Sequence, residues 1–260
     1  MPQRPKEYYR PATLQDALEL LKRPDAAALA GGTRLLQGDI EPACVVDLQA
    51  LGLNTIDLLD DQLRVGATVT LRTLYDSGEI SGDAADILRK GLYQAGPNTF
   101  RNAATLGGVI ASREVDSELL AVLLVLETRL VLAGAFTGEI SLRDYLRADE
   151  RPDGLITEVI IPWHDGQGSI ERVARTPADR PIVAVVAWRS NGFTHLAVSG
   201  AAHYVQSLSP MEGDLNEMAI ISLVEVAQSL VIHDGDFRGS AEYRSEMVGV
   251  LSERALLMLR

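Results

Sequence analysis

Hydrophobic positions recur along this chain at two periods, and the switches between them divide it into elements. Leu14, Ala17, Leu18 and Leu21 share one face of a helix expected over 13–22, with Thr13 as its N-cap. Pro24-Asp25 ends that helix, and the short apolar runs 26–30 and 44–48 read as buried strands. Together they form a β-α-β-like unit ending near Leu53. Residues 56–59 and 63–67 flank Asp60-Asp61 and read as a hairpin. Helical spacing returns over 70–75 and 84–93. The run 118–126 is a dense apolar helix that belongs to the core. A returning strand is expected at 128–133, then a short helix over 141–146 capped by Ser141, with Asp144 at its third position.

Val159-Ile160-Ile161-Pro162 reads as an edge strand stopped by proline, and 164–169 as the linker. Beyond it, 182–189 and 194–199 flank Asn191-Gly192 as a second hairpin, the stretch 176–181 reads as a loop, and amphipathic helices over 215–230 and 240–259 close the chain. Strands followed by paired helices indicate an α+β architecture. The expected division is a first domain over 1–164, with subdomains of about 1–53 and 54–164, and a smaller α+β domain over 165–260.

Two diglycines carry the candidate chemistry. Gly31-Gly32 is followed by Thr33, and Gly107-Gly108 lies about seventy residues downstream, each after a strand-like apolar run. Paired glycines let the backbone take φ > 0 and approach a bulky ligand, and their bare N–H groups can face an anion such as a diphosphate. One diglycine is most often a turn; two of this kind suggest two walls of one cleft.

The residues around them resemble a known family. Leu29-Ala30-Gly31-Gly32-Thr33-Arg34-Leu35-Leu36 and Phe100-Arg101-Asn102-Ala103-Ala104-Thr105-Leu106-Gly107-Gly108 are similar to the two flavin-binding loops of the FAD-binding medium subunit of molybdenum hydroxylases. That family includes the flavoprotein subunits of carbon monoxide dehydrogenase, xanthine dehydrogenase and 4-hydroxybenzoyl-CoA reductase. The likeness continues through Glu118-Leu119-Leu120-Ala121-Val122-Leu123-Leu124-Val125-Leu126-Glu127 and reappears in Gly235-Asp236-Phe237-Arg238-Gly239-Ser240-Ala241-Glu242-Tyr243-Arg244, then Leu251-Ser252-Glu253-Arg254-Ala255-Leu256.

The resemblance implies a two-subdomain, PCMH-type FAD-binding fold followed by a C-terminal domain of the CO dehydrogenase flavoprotein type. It implies FAD in this chain, with the diphosphate embraced by the backbones of Gly31-Gly32-Thr33 and Gly107-Gly108 and a donor from the Thr105 hydroxyl. Leu29, Ala30, Arg34 and Leu35 belong to the first loop, while Gly96, Phe100 and Ser112 belong to the segment around the second. Glu118 stands where a ribityl contact is expected, Leu155-Ile156 matches the apolar pair on the flavin ring, and Arg172 is the counterpart of a basic residue near that ring. The family usually has an acidic or amide residue at Arg34 and Asn at Val109. Its Ser-Pro-x-x-Asp segment is here Glu114-Val115-Asp116-Ser117-Glu118. Glu114 and Asp116 put negative charge beside the expected diphosphate, which is unfavourable unless they point to solvent.

By the same resemblance the chain is an electron-transfer subunit of a hetero-oligomer. A large subunit holds the molybdenum cofactor, a small subunit holds 2Fe–2S centres, and NAD, a quinone or another acceptor takes the electrons. Alone it would oxidise no natural substrate. Two other readings remain open: a stand-alone FAD oxidoreductase, and a flavin-free structural or assembly subunit.

Composition narrows the field further. The 260 residues carry a net charge of −12, against nucleic-acid or anionic-membrane binding. Cys44 is the single cysteine, too few for a disulfide or an iron–sulfur centre. Its apolar strand makes it a buried small hydrophobe. The four histidines lack ligand spacing. No apolar run has signal-peptide or membrane-spanning character, so the expectation is a cytoplasmic, soluble protein without membrane insertion. No nucleophile–base pair presents itself, so no side chain is expected to be catalytic and the cofactor would carry the chemistry.

Overall fold

The structure, a computed structural model, describes residues 5–35, 42–150 and 152–260; Leu36, which ends the first flavin-loop motif, lies outside them. Three sheets follow one another along the chain. The first is parallel, in the order β1 (Glu7–Tyr9), β3 (Cys44–Asp47), β2 (Ala26–Leu29). Helix α1 (Leu14–Leu21) joins β1 to β2, and the Thr13 hydroxyl caps it by accepting from the Asp16 N–H. Ala17 then packs with Cys44, Val46 and Leu48 in a small core. Strand β1 has three residues, none of them buried, and so leaves no periodic signal.

The second sheet is antiparallel, in the order β4 (Ile56–Leu59), β5 (Gln62–Gly66), β8 (Leu155–Pro162), β6 (Arg129–Ala133), β7 (Gly138–Ser141). Asp60 and Asp61 both have positive φ, 47° and 59°, as a two-residue type I′ hairpin turn requires. The expected edge strand at 159–162 is instead the central strand. Pro162 is tolerated there because it is the last residue, paired with Gln62 at the end of the ladder, so its missing N–H removes no interior bond.

The third sheet runs β9 (Gln167–Val173), β10 (Val183–Ser190), β11 (Phe193–Ser199), β12 (Gln206–Ser207), with β13 (Met211–Glu212) on the other end of β11. Much of the expected linker is therefore the start of β9. Strand β10 is buried on both faces, so its apolar run is continuous. Val186, Trp188 and Ala197 face the main core, while Val183, Val185, Ala187, Leu196 and Val198 face a second one.

The helices fill the spaces between sheets. α2 (Leu71–Tyr75), α3 (Asp83–Gln94), α4 (Asn98–Ala103), α5 (Leu106–Ser112), α6 (Glu118–Val125) and α7 (Leu142–Arg147) precede the third sheet, and α8 (Glu217–Ser229) and α9 (Ala241–Leu257) follow it. Every residue of α6 is buried, between α3 on one side and β10 and β11 on the other. A helix enclosed on all sides needs the all-round apolar sequence seen there. The main core therefore runs without a break from Leu63, Val65 and Val159 of the second sheet, through α6, to Trp188 of the third. Helices α8 and α9 cover the other face of that sheet.

Candidate functional site

The two glycine motifs meet. Gly31 leaves β2 and lies directly on the Ala103 carbonyl at the end of α4, so close that a Cβ would overlap that oxygen. Only a residue without a side chain permits this approach. Gly32 turns the chain with φ 70°. Among the described residues, nothing accepts from the N–H groups of Gly31, Gly32 or Thr33.

The second motif differs from its expectation. It is helical rather than a strand and loop, and Gly107-Gly108 forms the first turn of α5. The Thr105 hydroxyl is the N-cap and accepts from the Gly108 N–H at 3.2 Å. The Gly107 N–H donates to the Ala67 carbonyl at 3.0 Å. Neither amide is bare: the Gly107 N–H anchors α5 to the end of the second sheet and the Gly108 N–H is taken by the helix cap. A Cβ at 107 would stand 2.7 Å from that of Ala67, which explains the glycine by packing. At 108 a Cβ would meet only Thr105 Oγ1, at 2.9 Å, and Gly108 lines a cleft.

That cleft brings together six of the candidates, Thr33, Arg34, Phe100, Gly108, Ser112 and Glu118. Leu29 ends β2, Ala30 packs on the small core, and Leu35 is half-buried beyond them. Thr105 is buried under α5, and Gly96 sits against the Phe100 ring. Ile156 is not on the cleft wall. It is buried in the main core on β8, opposite Leu132, while Leu155 packs on the small core.

The sequence reading missed Arg180, which reaches the cleft from the loop at 176–181, and it left open whether the acidic segment points to solvent. Glu114 and Asp116 do not point to solvent; their side chains are only 15% and 10% exposed. Glu114 pairs with Arg34 at 3.0 Å and with Arg180, while Asp116 pairs with Arg180 at 3.3 Å and Arg238 at 2.9 Å. Arginines from three distant segments thus converge on one loop, which no local pattern announces. Burial, then the Arg34 and Arg238 guanidinia, pull Arg180 below its ordinary pKa. Positive charge is crowded here in a way that an added anion would relieve.

Glu118 is the first residue of α6, behind its N-cap Ser117, and is 3% exposed. Burial pushes its carboxyl up to about 7, against the opposing pull of Arg172 and with a further push from Asp116. Arg172 Nε lies 2.9 Å from Glu118 Oε1, an ion pair by distance but not aligned as a hydrogen bond. The other Arg172 nitrogens donate to the Pro177 and Asp179 carbonyls, tying the loop that carries Arg180 to the cleft.

The Glu118 environment sets a pH dependence. A carboxyl with a raised folded pKa holds its proton better in the folded state, so its contribution to stability falls as pH rises from about 4.5 to about 7. Glu118→Gln should match the parent protein below that window and exceed it above, by on the order of 2–3 kcal/mol at pH 8. Urea unfolding at pH 4.5 and 8 checks this; equal differences at both pH values would exclude it.

Comparison with known proteins follows the same lines. The model for the FAD binding domain in molybdopterin dehydrogenase matches residues 4–164. Over 251 residues the chain is 31% identical to the uncharacterized protein YgfM of Escherichia coli (strain K12), covering 95% of this chain and 93% of that one. It is 27% identical over 277 residues to the carbon monoxide dehydrogenase medium chain of Afipia carboxidovorans, covering 96% and 95%. A solved structure of carbon monoxide dehydrogenase from Hydrogenophaga pseudoflava, lacking the Mo-pyranopterin moiety, matches with a TM-score of 0.88 at 21% identity. That match covers 100% of this chain and 98% of the other, and it shows the shared fold.

Proposed function

The chain belongs to the family of FAD-binding domains of molybdopterin dehydrogenases, and from that membership we propose that it is the flavoprotein subunit of a molybdenum hydroxylase complex. In this reading it takes electrons from iron–sulfur centres of a small partner subunit and passes them to an external acceptor such as NAD or a quinone. A large partner subunit with the molybdenum cofactor would oxidise the substrate. The bound FAD would supply the redox chemistry, linking one-electron donors to a two-electron acceptor.

The observation that carries the proposal is that no described residue accepts from the N–H groups of Gly31, Gly32 and Thr33, on the loop whose Thr33 and Arg34 line the cleft with Gly108. Three successive backbone donors beside guanidinium groups suit a diphosphate in charge and in hydrogen bonding. Gly108 leaves room for it, and Arg34 and Arg180 would exchange their Glu114 contacts for phosphate oxygens. Ser112 and Glu118 offer polar contacts to the sugar-alcohol chain, and Phe100, held by Gly96, offers an apolar wall. A neutral Glu118 carboxyl can donate as well as accept, which suits a hydroxyl partner. Arg172 acts through Glu118 and the 176–181 loop, while Leu29, Ala30, Leu35, Thr105, Gly107 and Ile156 shape the walls from behind.

The test is a visible spectrum of the full chain after incubation with FAD and removal of the excess. The two absorption bands of oxidised flavin, retained with the protein and with co-expressed large and small subunits, are the expected result. The second reading, a flavin-free structural subunit, is favoured by the ion pairs that link Arg34 and Arg180 across the cleft to Glu114. A colourless protein, both alone and in the complex, would establish that reading and reject the first. Isolation from its native source as a flavin-bearing protein with no large or small subunit attached would instead identify a stand-alone oxidoreductase.

A further inference from the structure

Helix α6 has a cavity at each end. Its N-terminal Glu118 lines the cleft described above, and its C-terminal Val125, Leu126 and Glu127 line a second cavity of about 290 Å³. This one arises where α6 stops while the sheet beneath it continues. Along β10 and β11, Val186 and Ala197 are covered by the main core. The next two cross-strand pairs on the same face, Trp188 with His195 and Ser190 with Phe193, project beyond the helix end. Glu127, His164 and Pro210 close the sides.

The floor and the rim differ in chemistry. Trp188 and His195 are buried, 4% and 9% exposed, beside Val125 and Leu126. Glu127, His164, Asn191 and Phe193 are exposed at the mouth. No described residue hydrogen-bonds the His195 ring, although that ring is nine-tenths buried and lines the cavity. Burial holds His195 below its ordinary pKa, opposed by Glu127 and assisted by Arg143, so at neutral pH it is an uncharged imidazole. The Arg143 guanidinium is itself engaged, donating to Ser207 Oγ at 3.0 Å and to the Leu208 carbonyl.

The Glu127 carboxylate at the mouth favours a positive guest. Glu127 turns away from α6 in the left-handed conformation, φ 54°, and its N–H and that of Thr128 satisfy the Leu124 and Leu123 carbonyls, so the negative charge at the mouth is the Glu127 carboxylate. Aromatic faces such as those of Trp188 and Phe193 attract cations. No three His, Cys, Asp or Glu side chains among the described residues converge to hold a metal, so the cation indicated is organic. The volume falls at the low end for small-molecule sites.

We propose that this cavity binds a compact organic ammonium cation bearing a ring, with the ring against Trp188 and the charge toward Glu127. The site is independent of flavin binding at the other end of α6. It supplies one acceptor or donor through neutral His195 and one carboxylate through Glu127, which orient a small ring compound without reacting with it.

Trp188 is its own reporter. The chain has two tryptophans, so a Trp163→Phe background leaves Trp188 fluorescence alone. Benzyltrimethylammonium, titrated into the full chain, should change that fluorescence saturably, with affinity about tenfold above that of neutral benzyl alcohol. Glu127→Gln should remove that preference, Phe193→Ala should weaken both probes, and Glu118→Gln should change neither. Both Glu127 and Phe193 are exposed, so either variant serves if the other fails to fold. A response that does not saturate, or one equal for the charged and neutral probes in the parent protein, overturns the proposal. So does a preference that survives Glu127→Gln.

Discussion

Gly31→Ala is expected to abolish flavin binding and to weaken the fold at once. The new Cβ would overlap the Ala103 carbonyl oxygen, a backbone atom that no rotamer change can move. Either the first loop lifts away from α4 or α4 shifts, at a cost of about 1–3 kcal/mol for overpacking. Lifting the loop also displaces the three N–H groups proposed to face the diphosphate. Losing two charge-assisted hydrogen bonds would lower affinity by about a hundredfold or more. Gly108→Val is the matched control: its side chain meets Thr105 Oγ1 and otherwise enters the cleft. It should remain folded, less the part of the α5 cap contributed by Thr105, about 1 kcal/mol, and still lose flavin. Urea unfolding and FAD titration on both variants separate the effects. Unchanged FAD affinity in Gly31→Ala would show that contact between the loops does not position the binding amides, and unchanged affinity in Gly108→Val would remove that wall from the site.

Arg244→Met should be the most destabilising change in the C-terminal part of the chain, by about 3–5 kcal/mol. Arg244 is fully buried, yet all its nitrogens are used. Nη1 donates to the Ile182 carbonyl at 2.6 Å and the Gly200 carbonyl at 2.5 Å, Nη2 to Asp236 Oδ1 at 2.7 Å, and Nε to the Gly239 carbonyl at 3.4 Å. The arginine thereby joins α9, the start of β10, the end of β11 and the 235–239 turn. Burial works against the Asp236 charge, but the Arg238 N–H and the Arg244 and Arg238 guanidinia outweigh it and hold its carboxyl well below the usual range. Methionine fills the volume, leaves the Ile182 and Gly200 carbonyls without donors, and takes from Asp236 one of the guanidinium groups that hold its charge, leaving it the Arg238 and Gly239 N–H groups and the Arg238 guanidinium. Arg244→Lys should recover little, since an ammonium cannot reproduce a planar fork with five donors. The check is the urea midpoint at constant slope; a loss below about 1 kcal/mol would mean that solvent or neighbours satisfy those acceptors.

The same arginine explains a motif that was legible as a string but not as a device. The run from Gly235 to Arg244 stands out in the sequence, and Ser240 is readable as a cap because capping depends on residues three apart. That Arg238 crosses to Asp116, 122 positions away, leaves no local trace. Hairpins at Asp60-Asp61 and Asn191-Gly192 and the caps at Thr13, Ser141 and Ser240 were readable for the same local reason. Misreadings cluster where the neighbours are remote. The central position of β8 depends on which strands flank it, the polar start of β9 (167–169) reads as linker, and the helical second glycine motif depends on its packing against Ala67.

By itself the sequence determined the family, the order of most elements, the buried character of α6 and the two glycine motifs as the place to look. These follow from short-range chemistry: side-chain period, capping geometry and the absence of a Cβ. Only the tertiary structure decided which amides are bare and which are already engaged. It likewise brought Arg180 and Arg238 to the acidic loop, pushed Glu118 up to about 7, and opened a cavity beyond the end of α6. Each of these depends on burial and on charges far apart in the chain, and the free energy of a polar group is set by the neighbours it meets after folding.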